Sequence, residues 1–203
     1  MTETVEFEDA PEIGRARGIL LKRLIDIVAL PASRLSPPDR AMAGDILLDM
    51  LFHTTQEERE LCSSRLQTSR EAPRRLLRYL AQCAFSIAKP LLDDNEAFDA
   101  SDLRQIVMET TIEHRRAIAG RKVVAESVAE ALSEHGEPEV LRVLLGNKGA
   151  VLSEVTVDNL ILKSRNHEDF CALLTERPEL RPAQAMAMFW WANGEDRRTI
   201  LQR

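Results

Sequence analysis

The chain has 203 residues, 44% of them hydrophobic, enough for one domain with a sizeable core. A formal charge of −6 argues against a general phosphate-backbone binder, though not against a local basic patch. Three cysteines without CxxC or Cys/His spacing, Cys62, Cys83 and Cys171, argue against a disulfide or zinc framework and read as reduced thiols of a cytosolic protein.

The opening residues carry Glu3, Glu6, Glu8 and Asp9 before any apolar run, the opposite of a basic signal-peptide start, so residues 1–10 read as a disordered acidic tail. Nowhere do eighteen apolar residues run together, so no bilayer-spanning helix is expected. Asp9-Ala-Pro11 is a plausible cap and first-turn proline, followed by a helical stripe of Ile13, Ala16, Leu20, Leu24 and Ile27. Pro31 ends that helix. Ser36-Pro-Pro-Asp39 restarts the chain, and Met42, Ile46, Leu47, Met50 and Leu51 are the expected buried face of the second helix. Thr55-Gln-Glu-Glu58 has capping-box spacing and opens a third.

From there one phrase recurs. Its copies are Glu60 to Arg65, Lys89 to Asp94, Arg116 to Arg121, Arg142 to Asn147, Ala172 to Arg177 and Arg198 to Arg203, ending 26–30 residues apart. Candidate caps Thr55, Ser86, Thr111, Gly136, Asn166 and Asn193 precede them in one register, and breakers at Ser69/Pro73, Asp99/Ser101, Ser153 and Arg181-Pro182 open partner helices between. A fixed period in this range marks stacked helix hairpins, each needing neighbours to cover its apolar faces. The expected fold is therefore all-α: a single domain over residues 11–203, built as a HEAT-like α-solenoid of about six hairpins plus an N-terminal helix. A compact helical bundle is the alternative, since short loops also allow it.

The phrases Asp39-Arg-Ala-Met-Ala-Gly-Asp-Ile-Leu48, Arg116-Ala-Ile-Ala-Gly-Arg121, Leu173-Leu-Thr-Glu-Arg-Pro-Glu-Leu180 and Ala187-Met-Phe-Trp-Trp191 resemble those of a bacterial family designated domain of unknown function 2336, over about Leu35 to Arg203. The resemblance implies a cytoplasmic bacterial helical-repeat protein with no assigned activity, and it supplies no catalytic residues. The chain stops at the end of a copy without an evident polar closing helix, and family members look as if they continue, so a short member or a truncated chain is expected.

No catalytic pattern emerges. Ser86-Ile-Ala-Lys89 lacks the companion motifs of Ser/Lys hydrolases and reads as a helix cap. Asp93 to Asp99 fails as a calcium loop, because Phe98 stands where glycine is required and Arg104 where the bidentate glutamate belongs. His53, His114, His135 and His167 have no ligand spacing and are expected at helix ends or on the surface. No metal and no cofactor is expected.

Three features point to binding. Lys89, Arg116, Arg142 and Arg198 occupy one place in successive copies, forming either a structural ladder with carboxylates such as Glu113, Glu139 and Glu168 or a groove for an acidic peptide or phosphate. Arg70, Arg74 and Arg78 share a helix face, with Arg75 beside them; this is a solvated face or a nucleic-acid contact, poorly supported in aromatics. Met186, Met188, Phe189, Trp190 and Trp191 form an all-round apolar helix, read as core or as a partner or homodimer interface. Glu126, Glu130 and Glu134 form a solvent-facing acidic row that could complement a basic partner. The expected function is a non-enzymatic protein-interaction module, a scaffold or adaptor in bacterial signalling or regulation. The alternative is a helical-repeat nucleic-acid binder using the arginine faces.

Overall fold

The computed structural model describes residues 11–31 and 34–202. The acidic segment 1–10, the Asp9-Ala10 cap and Arg203 lie outside the described residues. Thirteen α-helices run through the rest: α1 (Pro11–Ala29), α2 (Pro37–Leu51), α3 (Gln56–Leu66), α4 (Arg74–Gln82), α5 (Phe85–Asp94), α6 (Ala100–Glu109), α7 (Ile112–Ala119), α8 (Glu126–His135), α9 (Pro138–Gly146), α10 (Glu154–Lys163), α11 (Asp169–Thr175), α12 (Pro182–Met188) and α13 (Gly194–Gln202).

Local chemistry accounts for where these helices start. Ser36, Thr55, Asp99 and Ser153 each accept a hydrogen bond from a first-turn backbone N–H, and Thr55 with Glu58 and Asp99 with Asp102 complete reciprocal capping boxes. Asn193 Oδ1 accepts from the backbone N–H groups of Glu195 and Asp196 at the start of α13. Pro37, Pro138 and Pro182 stand at first helical positions, where the missing N–H costs nothing. Three expected caps are corrected. Ser86 lies inside α5, whose cap is Ala84; Gly136 ends α8 in the left-handed conformation instead of opening α9; and Asn166 precedes the turn before α11, whose cap is Glu168. Gly136 takes φ 75°, which a side chain would oppose, so a residue read as a start is a stop.

The helices pack in two rows. Odd-numbered helices contact the next odd-numbered one from α1 to α13, even-numbered helices do the same from α2 to α12, and α4/α5, α6/α7, α8/α9, α10/α11 and α12/α13 pair across the rows. A continuous aliphatic core fills the space between, with Leu47, Leu76, Leu80, Leu91, Leu132, Leu144 and Leu160 sealed from solvent. Where the chain passes between pairs, Val124 and Ala150 form a parallel bridge. A Cβ on Gly149 would lie 1.8 Å from the Lys122 carbonyl oxygen, so only glycine permits this approach.

The expected face of α1 is in the wrong register, and that of α2 is right at Leu47 and Leu51 but wrong at Met42 and Ile46. α1 buries Leu21, Ile25 and Val28 and leaves Leu20 and Ile27 exposed; α2 buries Ala43, Gly44, Leu47, Leu48 and Leu51 and exposes Met42 and Ile46. Both helices are apolar on two sides, and periodicity cannot tell which side faces the neighbours.

A further device joins the odd row. Asn95 Nδ2 donates to the carbonyls of Leu66 and Gln67 at 2.9 and 2.8 Å, and Arg121 to those of Leu92 and Asn95 at 2.7 and 2.8 Å. Asn147 donates to Ala119 and Arg121 at 2.8 and 2.7 Å, and Arg177 to Asn147 and Ala150. Each side chain thus satisfies carbonyls left open at the end of the preceding odd helix, where no intrahelical donor remains. The bonds span 26–30 residues, the interval between the sequence copies.

Candidate docking groove

The basic row lies on the odd helices, with Lys89 on α5, Arg116 on α7, Arg142 on α9 and Arg198 on α13, all exposed. They are not equivalent chemically. Arg142 donates through Nε to Asp169 at 2.5 Å, which holds the Asp169 carboxyl below its usual range. Among the described residues Lys89, Arg116 and Arg198 make no ion pair. Glu113, Glu139 and Glu168 are absent from these pairs too, so the carboxylate ladder expected along this row is realised only at Arg142, and through Asp169.

Lys89 and Arg116 line one shallow groove of about 470 Å³ across α5, α7 and α9. Its floor is apolar, made by half-buried Phe85, Ala117 and Val143, and its rim adds exposed Gly120, Asp93 and Glu113. Thr111 Oγ1 donates to Glu113 at 2.6 Å, and this bond holds the Glu113 carboxyl below the ordinary range. Behind the rim His114, in the first turn of α7, is buried rather than on the surface, one of the two expected positions being a helix end, with Nε2 facing the Cys83 carbonyl at 3.0 Å and Nδ1 facing Thr111 Oγ1 at 2.8 Å. Because a carbonyl only accepts, Nε2 carries the ring proton and Nδ1 is the acceptor of the neutral ring. The single hydroxyl proton of Thr111 is therefore contested between His114 and Glu113. Burial pushes the His114 pKa down, against the opposing pull of the Cys83 carbonyl and Glu113. Its ring meets the floor residue Phe85 edge-on at 5.4 Å, tying the groove to the α4–α5 turn.

The arginine face of α4 is engaged within the molecule. Arg70, before α4, pairs with Glu96; Arg74 with Asp99 and Asp102; Arg75 with Asp45; and Arg78 with Asp102. Asp102 is fully buried and also caps α6, so this face fastens α4 to α6. Segment 93–99 has an equally ordinary role, ending α5, supplying Asn95 and capping α6 with Asp99.

The C-terminal aromatic cluster divides. Met188 is buried, and Trp191 packs inward, its Nε1 donating to Ser164 Oγ at 2.9 Å under the Arg165 guanidinium. Trp190 is 81% exposed beside Phe189, and Met186 is also exposed, so the helix is not apolar-buried all round. Glu126, Glu130 and Glu134 all face solvent on α8.

Sequence reasoning used Arg121, Asn147 and Arg177 only as landmarks of the period and missed their side-chain role. Their recurrence at the end of successive copies was the available signal. Phe85 and Val143, the apolar floor, had none, because groove position depends on which helices become neighbours.

No helix among the described residues is long and apolar enough to cross a membrane. No curated protein matches the chain. No solved structure matches it either. A family model described as an uncharacterised protein conserved in bacteria, DUF2336, matches residues 87–203, which holds every helix from α6 to α13 and most of α5, the whole groove except Phe85 included. The chain belongs to this bacterial family of unknown function.

Proposed function

We propose that the protein is a non-enzymatic interaction module of the bacterial cytoplasm, a HEAT-like α-solenoid whose odd row binds a segment of another protein. Two rows of like-numbered helices, and side chains that bond across one sequence period, support the solenoid reading. The observation that carries the binding reading is the groove across α5, α7 and α9: an apolar floor beside Lys89 and Arg116, two cations with no ion pair among the described residues. That is the composition of a peptide site, in which apolar contact gives area and a few charges give orientation. The engaged arginines of α4 lend the nucleic-acid alternative less support, since each would have to leave a carboxylate to meet a phosphate.

The test is affinity capture from the bacterial cell with the wild type and with Lys89→Glu/Arg116→Glu. Both positions are exposed, so thermal stability should stay within about 0.5 kcal/mol. Captured partners should be lost. Retention of the same partners by the double variant would sink the groove as the binding surface. Binding of duplex DNA that weakens steeply as salt rises would favour the alternative.

A further inference from the structure

We infer that the groove across α5, α7 and α9 takes a partner helix bearing one acidic side chain between two basic ones, and discriminates against an acidic tract. This rests on the peptide-binding reading of the groove and specifies the chemistry of its occupant.

The two helices that supply the charges run side by side in the same direction. At their starts, His114 of α7 meets the Cys83 carbonyl and the Phe85 ring; at their ends, Arg121 donates to the Leu92 and Asn95 carbonyls. The charges of the groove are therefore ordered along one axis. Glu113 stands in the first turn of α7, Lys89 and Arg116 lie farther along α5 and α7, and Asp93 is in the last turn of α5. At helical rise the successive steps are about 4–6 Å. One acid thus closes each end of a central pair of cations.

All four residues are exposed, and among the described residues none of them is in an ion pair. The Thr111 hydroxyl holds the Glu113 carboxyl below its usual range, so that end of the groove is negative at neutral pH. From α9 only Val143 lines the groove, and its charged neighbours Glu139 and Arg142 do not. Beyond Asp93 the adjoining hollow holds Arg70, which is paired with Glu96.

Charge then selects the occupant. An acidic tract is attracted by the central cations but repelled at both ends, whereas base, acid and base at successive turns meet an opposite charge at every step. Phe85, Lys89 and Asp93 form an i, i+4, i+8 row on α5. A helix laid along that row by its own i±4 ridge advances by the same rise per turn, and its aliphatic side faces Phe85, Ala117 and Val143. The chain's own first ten residues carry four acids and no basic side chain, which does not match this pattern.

Fluorescence anisotropy on the full chain tests this with labelled synthetic helices of about four turns, made of alanine and leucine apart from three charged positions at i, i+4 and i+8. One carries Lys, Glu and Lys, the second Glu, Lys and Glu, and the third three Glu. The first should bind at least about tenfold more tightly than either of the others. Asp93→Asn/Glu113→Gln should leave circular dichroism unchanged and cut its advantage over three acids to about threefold or less, because the repulsion at both ends is gone. A wild-type preference for three acids overturns the charge pattern and leaves the groove as a docking surface. An advantage that the double variant does not reduce, or no binding of any of the three helices, overturns it too, and the capture experiment then judges the groove separately. Tight binding of the first helix that Lys89→Glu/Arg116→Glu does not weaken overturns both readings.

Discussion

Arg116 and Arg121 stand five residues apart at the end of the same helix and do opposite things. Arg116 is exposed on the groove rim, whereas Arg121 is buried against the Leu92 and Asn95 carbonyls. Arg121→Met leaves both acceptors without that donor, at about 1–3 kcal/mol each, so urea unfolding should show a loss of about 2–5 kcal/mol. Arg116→Met should stay within about 0.5 kcal/mol. Composition and local pattern do not separate these two arginines; the separation appears only once α5 and α7 are neighbours. His114 gives a second expectation. Its folded pKa lies below the unfolded value near 6.5, so the neutral ring contributes stability fully above that pH, and this is lost as pH falls toward the folded value. The melting temperature should drop between pH 7.5 and 5.5, and the slope should flatten in His114→Gln; an unchanged slope would show that the ring does not titrate in this window. Thiol chemistry follows burial in the same way. Cys62 is sealed and its pKa is pushed up to about 12, so iodoacetamide should label half-buried Cys83 in the native protein and reach Cys62 only on unfolding.

Among elements, one close approach is the crossing between the pairs, where Gly149 lies against the Lys122 carbonyl. Gly149→Ala must displace main chain and break the Val124–Ala150 bridge, so it should cost more than about 2 kcal/mol. Gly146, at the end of α9, has nothing within 4 Å of an added Cβ, so Gly146→Ala should be neutral or stabilising by about 0.5 kcal/mol. The two glycines are three residues apart, and only the backbone brought beside one of them distinguishes the outcomes. Asp102, paired with Arg74 and Arg78, is one of the ties between α4 and α6. Losing one member of a buried pair costs about 3–5 kcal/mol, but Arg78 is 40% exposed, so Asp102→Asn should cost only about 1–2 kcal/mol in chemical denaturation. Helix starts at Ser36, Thr55, Asp99, Ser153 and Asn193 were legible because capping chemistry is local. Burial on α1, and at Met42 and Ile46 of α2, was misread because both helices are apolar on two sides. The core side is set by the packing of α1 against α2 together with that of α1 on α3 and α2 on α4.

For the whole molecule, the period in the sequence and the period of the bonds agree because one physical requirement produces both: an apolar helix pair must be covered by the next pair. The helical class was therefore readable from spacing. The groove was not, since its floor comes from three helices whose adjacency no local pattern encodes. In the odd row the carbonyls that close one helix are met by Asn or Arg from a stretch 26–30 residues later. A ribosome delivers residues in order at about 5–20 per second. The ends of α3, α5, α7 and α9 therefore emerge before the side chains that meet their carbonyls, which arrive only with the next odd helix. A nascent chain stalled just after α3, α5, α7 or α9 lacks the donor that closes that helix.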